Sequence, residues 1–299
     1  MTKKAMIIIL AVLLAIAVFL GMLILVDKVI MAPRRSSSDT PAEATATAAP
    51  DESATPEGGE TVTPTPEPEP TQSLALAGLI IGIDPGHQGK ANTDKEPCAP
   101  WGKDKNPSYN NETMKTKTSS GTAGKFTNMP EYIVTLQISL KMKAKLEALG
   151  ATVVMTREDH NVNLSNIDRA QIGNDANCDV VLRIHCNGAD NPSTSGIEAW
   201  IRGTGDGTAE YKALGDYERL LAEEMLTYLV NATNAVRRRV NSSDTYTGLN
   251  WSTVPSIIIE CGFMSNEEED NKLTTDSYQE LIAQGFADWL VNSTVLKRQ

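Results

Sequence analysis

The sequence is poor in the residues that bind metals through sulfur or imidazole. Its 299 residues include four cysteines and three histidines. The cysteines at positions 98, 178, 186 and 261 form no C-x-x-C pair, which argues against a thiolate zinc site. The sequence also has no internal repeat, so a repeat architecture is not expected.

Basic residues are too few for a surface that binds nucleic acid. The chain carries 27 Lys and Arg against 38 Asp and Glu, which gives a net charge of −11. Proteins that bind nucleic acid present a basic patch or stripe to the phosphate backbone. An acidic chain without such a stripe argues against a nucleic-acid partner.

The first 73 residues do not have the composition of a folded domain. Residues 5–26 are uncharged, almost entirely apolar and long enough for a membrane-spanning helix. Residues 36–73 are rich in Pro, Thr and Glu and contain no Lys or Arg, which predicts a disordered linker. We therefore expect a membrane anchor with its flanks in residues 1–35, the linker in 36–73 and one folded domain in 74–299. No clear A-x-A site follows the apolar segment, which favours an uncleaved anchor over a removed signal peptide.

Strand and helix patterns alternate along residues 74–299. Apolar runs typical of buried strands lie at 79–84, 151–156, 179–185, 196–201 and 256–260. Helices are predicted at 130–149, 165–176, 210–230 and 277–291. This order predicts a single α/β domain with a mostly parallel sheet flanked by helices on both faces. The polar stretch 88–128 is expected to be a long loop. The stretch 231–255 looks similar but carries Leu249 and Trp251, so it is expected to pack against the domain.

Three ionisable residues fall at the carboxyl ends of predicted strands. His87 follows the turn Asp84-Pro85-Gly86, His185 ends the run D-V-V-L-R-I-H, and Glu260 ends S-I-I-I-E. The carboxyl ends of parallel strands share one edge of a sheet, so we expect these side chains to converge there. A carboxylate at the end of an isoleucine run needs a cation, a proton or a catalytic role.

A divalent metal suits this set of side chains. Catalytic zinc sites use three protein ligands and leave one position open. Glu131 is the best candidate for the third ligand, because it begins the helix that follows the long loop. Glu96 and Glu112 lie within that loop and are less fixed. Glu260 then remains as the general base.

Each ligand candidate also has a purely structural interpretation. His87 could be a turn histidine, and His185 could be a buried strand residue. Glu131 matches the capping-box spacing with Asn128. These interpretations stay open at the level of single residues.

Arg183 and the cysteines allow further alternatives. Arg183 could neutralise Glu260 in an ion pair without any metal. Cys186 and Cys261 directly follow candidate functional residues, so either a disulfide between them or two buried thiols is expected. The remaining histidine, His160, lies in a polar turn and is expected to be solvated.

Four blocks of the sequence resemble the zinc-dependent N-acetylmuramoyl-L-alanine amidases of bacterial cell walls. The blocks are I-D-P-G-H at 83–87, Glu131 with the following helix and L-G-A-T-V-V-M-T-R to Arg157, V-V-L-R-I-H-C-N at 180–187, and V-P-S-I-I-I-E-C-G-F-M-S-N-E-E-E at 254–269. The resemblance implies that His87, Glu131 and His185 hold Zn²⁺ and that Glu260 is the catalytic carboxylate. Arg183 departs from it, because the family usually has a small residue before I-H.

The resemblance also implies a function and a location. It implies a peptidoglycan hydrolase that uses zinc-activated water to cleave the amide between the lactyl group of N-acetylmuramic acid and L-alanine. The domain is then expected outside the cytoplasm, anchored in the bacterial cell membrane and facing the wall, or secreted if the first segment is cleaved. Asp84, Arg183 and Asn187 are candidates for supporting the ligands or contacting the substrate, and Asp84 in particular for orienting the imidazole of His87.

Two alternative functions remain compatible with the same residues. A zinc peptidase acting within the stem peptide would use the same ligands. A membrane-anchored protein that binds wall material without hydrolysis would be supported by an ion pair between Arg183 and Glu260.

Overall fold

The structure is a computed structural model that describes residues 74–296. The predicted anchor at 5–26 and the predicted linker at 36–73 lie outside the described residues. Within residues 74–296, no helix is both long enough and apolar enough to cross a membrane.

A six-stranded sheet forms the centre of the domain, and a two-stranded hairpin lies beside it. The strands are β1 (Ile80–Pro85), β2 (Asn92–Pro97), β3 (Met114–Thr118), β4 (Thr152–Met155), β5 (Val180–Asn187), β6 (Ile197–Arg202), β7 (Arg237–Ser243) and β8 (Ser256–Phe263). The sheet order is β4-β1-β5-β8-β6-β7, and β2 pairs with β3 in the hairpin. Strands β4, β1, β5 and β8 are parallel, whereas β6 pairs antiparallel with β8. The prediction of a mostly parallel sheet is confirmed.

Helices cover both faces of this sheet. They are α1 (Glu131–Ala148), α2 (Asn166–Asp175), α3 (Ala209–Thr233), α4 (Thr247–Asn250), α5 (Glu267–Leu273) and α6 (Asp276–Asn292). Helices α1, α3 and α6 enclose the main hydrophobic core with one face of the sheet. Helix α2 packs on the other face, where Gly173 lies against Val181. A capping box between Ser165 and Asp168 fixes the start of α2.

Side chains of β5 and β8 alternate between the two faces of the sheet. Leu182 and Ile184 on β5 and Ile259 on β8 point into the main core. The residues between them therefore point to the opposite face, and this places His185 and Glu260 on the same side. The two are also directly paired in the parallel register of β5 and β8. The convergence predicted from strand ends follows from this alternation.

The four cysteines are buried and free. Cys186 and Cys261 belong to the core face of their strands, and burial raises the pKa of both thiols. The interpretation as buried thiols is confirmed, and the disulfide between these two residues is not formed.

The two long-loop predictions are wrong in part. The stretch 88–128 contains the hairpin β2–β3, and the stretch 231–255 contains β7 and α4. Strand β2 reads N-T-D-K-E-P and β7 reads R-R-R-V-N-S-S, so neither shows the apolar alternation of a half-buried strand. Strands β2 and β7 form because their backbones pair with a neighbouring strand. Their mostly polar side chains give no local sequence pattern that predicts a strand.

Candidate metal centre and active site

Three side chains meet at the carboxyl edge of β1 and β5. His87 Nε2 lies 3.2 Å from Glu131 Oε2, and His185 Nδ1 lies 3.1 Å from Glu131 Oε1. The two imidazole rings face each other edge to face, with centroids 4.8 Å apart. One potential ligand atom from each residue falls within 4.8 Å of the others, so the cluster could hold a metal ion.

His87 is positioned by its backbone conformation and by Ser119. His87 has a left-handed backbone (φ 60°), which turns the chain sharply after β1. Its Nδ1 lies 3.0 Å from Ser119 Oγ and 3.1 Å from the Ser119 carbonyl oxygen. These contacts fix the ring from the long segment between β1 and α1, so Nε2 is left facing Glu131.

Glu131 is the first residue of α1, and its carboxylate is not used for capping that helix. The N-cap residue is Pro130 rather than Asn128, so the capping-box interpretation is wrong. The Glu131 carboxylate instead accepts hydrogen bonds from the backbone amides of Thr122 (2.9 Å) and Cys186 (3.1 Å). Local spacing suggested a cap, but long-range contacts decide the position of this side chain.

The electrostatics of the cluster favour the charged form of Glu131 and the neutral form of His185. Burial opposes ionisation of Glu131, yet hydrogen bonds with His185 and His87 outweigh it and lower the pKa of this carboxyl. Burial also lowers the pKa of His185, although the hydrogen bond with Glu131 opposes that shift. A charged carboxylate and a neutral imidazole are the forms that bind divalent metals.

The three side chains are close enough to converge on one metal ion. His87 and His185 lie 3.2 Å and 3.1 Å from different oxygens of the Glu131 carboxylate, and one ligand atom from each residue falls within 4.8 Å of the others. Ligand atoms about 2.0–2.2 Å from a tetrahedral zinc ion lie roughly 3.4 Å from one another, so small shifts of these side chains would complete such a set. Two imidazoles and one carboxylate are also an established set for catalytic zinc.

Glu260 lies beside this cluster without being part of it. It shares with His87, Glu131 and His185 the wall of an open cavity of about 410 Å³. Its Oε2 is buried and has no hydrogen-bond partner within residues 74–296. Burial, followed by the charges of Glu131 and Glu198, raises the pKa of Glu260 well above its ordinary value. A buried carboxyl group with a raised pKa and no structural partner is typical of a catalytic acid or base.

Asp84 does not have the role that was expected for it. Its carboxylate pairs with Arg169 (2.7 Å) and Arg183 (3.1 Å) and accepts a hydrogen bond from Thr156 (2.6 Å). Burial opposes its ionisation, but the two arginines outweigh this and lower its pKa. Ser119 rather than Asp84 orients the ring of His87, so that prediction for Asp84 is corrected.

The alternative ion pair between Arg183 and Glu260 is not formed. Arg183 bonds to Asp84, its direct neighbour in the register of β1 and β5. Asn187 lines the 410 Å³ cavity, and its side-chain amide donates to Glu198 Oε1 (3.1 Å). No sequence pattern points to Glu198, since it lies within β6 rather than at a strand end.

The other acidic residues and the third histidine lie elsewhere. Glu96 accepts hydrogen bonds from the backbone amides that begin α2, and Glu112 forms a surface ion pair with Lys103. His160 is half-buried and packs edge to face on Tyr132, which corrects the expectation that it is solvated.

Comparison with known proteins decides the family. A family model described as N-acetylmuramoyl-L-alanine amidase matches residues 81–292. The chain belongs to this amidase family. The matched residues include all three ligand candidates and Glu260, so the site lies within the family domain.

Individual amidases show the same relationship. LytC of Bacillus subtilis is 28% identical over 162 residues, which are 54% of this chain and 31% of LytC. The amidase Rv3717 of Mycobacterium tuberculosis is 23% identical over 221 residues, 72% of this chain and 88% of that protein. The crystal structure of the amidase Ami1 from Mycobacterium abscessus has a TM-score of 0.60 at 25% identity and covers 72% of this chain and 98% of its own. The similarity to LytC therefore spans about a third of that protein, whereas the similarities to Rv3717 and Ami1 span nearly whole domains.

Proposed function

We propose that this amidase hydrolyses the bond between the lactyl group of N-acetylmuramic acid and the L-alanine of the stem peptide in peptidoglycan. The position of Glu260 is the single observation that carries the proposal. It is a buried carboxylate with an unpaired oxygen, next to a cluster of two histidines and one glutamate. An unpaired buried carboxylate is costly, and a catalytic role offsets that cost.

The proposed cofactor is one Zn²⁺ ion held by His87, Glu131 and His185. When bound, such an ion supplies Lewis acidity, which lowers the pKa of water and polarises a carbonyl group. The backbone amides of Thr122 and Cys186 hold the oxygens of Glu131, and Ser119 holds the ring of His87. These contacts keep the side chains of Glu131 and His87 in place before substrate arrives.

Glu260 moves the proton in the proposed reaction. Its carboxylate removes a proton from the attacking water as the new C–O bond forms at the lactyl carbonyl carbon. The same group then delivers that proton to the nitrogen of L-alanine as the C–N bond breaks. The products are a free lactyl carboxylate on the glycan and a peptide with a new amino terminus. A raised pKa suits this role, because the group must hold the proton between the two steps.

The expected anchor completes the proposal for location. An apolar segment at 5–26 followed by a polar linker at 36–73 would hold the domain outside the cytoplasm within reach of the wall. The wall-binding alternative loses its main support, because Arg183 pairs with Asp84 instead of Glu260.

The test uses the variant Glu260→Gln and purified peptidoglycan. Gln keeps the size of the side chain but cannot accept the proton, so we expect turnover to fall at least about 100-fold while the zinc content stays at one per chain. Glu268→Gln is the matched control, because Glu268 is an exposed glutamate that pairs only with Lys272 among the described residues. It should retain full activity.

Mass spectrometry of the digest identifies the bond that is cut. Release of peptides that begin with L-alanine supports the amidase, whereas cleavage further along the peptide supports a zinc peptidase. Near wild-type digestion by Glu260→Gln would show that this residue does not carry the proton.

A further inference from the structure

A second cavity adjoins the candidate active site. It measures about 470 Å³ and shares His87, His185 and Glu260 with the metal cluster. It continues to Arg183 on β5, and its other walls come from β1, β3, the start of α2, β8 and segment 245–248. A space of this size is sufficient for part of a peptide.

Arg183 lies in the wall of this cavity with three of its five N–H donors unused. The residue is 4% exposed, and its Nη1 binds Asp84 Oδ2 at 3.1 Å. Its Nε and Nη2 are buried and have no hydrogen-bond partner within residues 74–296. These two nitrogens form one edge of the guanidinium, and such an edge binds a carboxylate through two parallel hydrogen bonds.

The charges around Arg183 also favour an anion. Arg183 and Arg169 share the carboxylate of Asp84, because Arg169 Nη1 binds Asp84 Oδ1 at 2.7 Å. Two buried guanidinium groups therefore face one carboxylate. Lys115 adds a further positive charge at the cavity wall. Glu96 is near Arg183, but its oxygens are engaged by backbone amides at the start of α2.

Gly248 holds the guanidinium group in place. A Cβ atom at this position would lie 2.1 Å from Arg183 Nη1 and 2.4 Å from Cζ. Only glycine allows the backbone of segment 245–248 to pack this closely on Arg183. The site is thus built by two distant parts of the chain.

The distance along β5 indicates which part of the substrate reaches Arg183. Arg183 precedes His185 by two positions on the same face, and a strand rises about 3.3 Å per residue, so the two are roughly 7 Å apart along the strand. An extended peptide also spans about 3.3–3.6 Å per residue. The lactyl carboxyl of the sugar is consumed in the scissile amide, so a free carboxylate at this distance belongs to the peptide.

We propose that Arg183 binds a carboxylate on the second residue of the stem peptide, the residue that follows L-alanine. Arg183 is then a specificity-determining residue for the peptide part of the substrate. The inference rests on the proposed amidase function, which places the scissile amide at the metal cluster. Asp84 holds one edge of the guanidinium, and the substrate carboxylate takes the other.

The first experiment needs only the unmodified protein. Its substrates are two soluble muramoyl tetrapeptides that differ at one position, with either a free carboxylate or a primary carboxamide on the second residue. We expect kcat/KM to be roughly 10- to 100-fold higher for the carboxylate form, mainly through KM, because a charge-assisted hydrogen-bond pair is lost with the carboxamide.

Two variants assign this preference to Arg183. Arg183→Gln should reduce kcat/KM for the carboxylate substrate to the level of the carboxamide substrate. Gly248→Ala should also reduce the preference, because the added methyl group displaces the guanidinium while the charge remains. Arg237→Gln is the matched control, since Arg237 is a more exposed arginine on β7 that pairs with Glu223. It should keep the full preference.

The outcomes separate the two proposals. Equal hydrolysis of both substrates by the unmodified protein overturns the subsite and leaves the amidase function standing. A preference that survives in both Arg183→Gln and Gly248→Ala also overturns it. Hydrolysis of neither substrate contradicts the amidase function itself, and the subsite falls with it. If Arg183→Gln does not fold, the substrate comparison and Gly248→Ala still decide.

Discussion

Glu198 and Glu260 are directly opposite each other on the antiparallel strands β6 and β8. Opposite side chains on paired strands lie close enough for like charges to repel. Arg238 compensates the charge of Glu198 at 2.8 Å, whereas Glu260 Oε2 has no hydrogen-bond partner in the described part of the chain. This asymmetry leaves the carboxyl group of Glu260 without a compensating partner, and it leads to the first prediction.

Glu198→Gln should shift the acid limb of the pH–rate profile to lower pH. The charge of Glu198 is one of the causes that raise the pKa of Glu260, after burial and Glu131, so its removal lowers that pKa. Glu260 must lose its proton to act as a base, and a lower pKa extends activity to more acidic solutions. Gln can still accept the hydrogen bond from Asn187. The measurement is kcat/KM against pH, and an acid limb that stays in place or moves to higher pH contradicts the coupling.

Glu260→Gln should stabilise the metal-free protein at neutral pH. The folded chain raises the pKa of Glu260 above its ordinary value of 4.5, so folding favours the protonated form. Above pH 4.5 the unfolded chain binds fewer protons at this group than the folded chain does. The free energy of unfolding therefore falls as the pH rises from the unfolded-state pKa to the folded-state pKa of Glu260. Gln does not ionise, so the variant does not lose this stability. Thermal unfolding of the chelated proteins should show a higher Tm for the variant at pH 7 and a smaller difference below pH 4.5. A difference in Tm that grows as the pH is lowered would contradict this prediction.

Removal of zinc should lower the thermal stability of the protein. An ion that binds only the folded state at a free concentration about 1,000-fold above Kd stabilises it by about 4 kcal/mol. For a domain of this size, that corresponds to a change in Tm of roughly 8–16 °C. The comparison is calorimetry before and after chelation, and readdition of zinc should restore the original value. Glu131→Gln should abolish this response, whereas Glu112→Gln, which alters only an exposed ion pair, should keep it.

Gly86→Ala should displace His185 and weaken metal binding. A Cβ atom at position 86 would lie 2.4–2.7 Å from three atoms of the His185 ring. Such overpacking costs about 1–3 kcal/mol, and relief of the clash moves a ligand candidate. Gly188→Ala is the control, because its Cβ would meet Thr122 at 3.4 Å or more. Zinc titration followed by calorimetry measures both variants, and equal affinities in the two would contradict the prediction.

Local patterns in the sequence were enough to place the apolar strands along the chain and to predict the edge at which the site lies. Apolar runs mark β1, β5 and β8, and parallel pairing brings their carboxyl ends together, which places His87, His185 and Glu260 at one edge. The period of two along β5 and β8 then sets the face on which the latter two point. Both features depend on patterns within single strands, which can be read directly from the sequence.

The tertiary structure alone decided which groups surround these residues. Asp84 accepts a hydrogen bond from Arg169, which lies 85 positions away in the sequence. Glu131 accepts one from the backbone amide of Cys186, 55 positions away. The hairpin β2–β3 and the strand β7 form through backbone pairing with neighbouring strands. The polar side chains of β2 and β7 give no sequence pattern that predicts this pairing. Contacts of this kind depend on how distant elements pack, and local spacing in the sequence does not show them. For this reason the sequence wrongly suggested a helix cap for Glu131, an imidazole partner for Asp84 and a loop for β7. Packing of distant elements also left one edge of Arg183 without a partner, and that edge is where substrate specificity is proposed to arise.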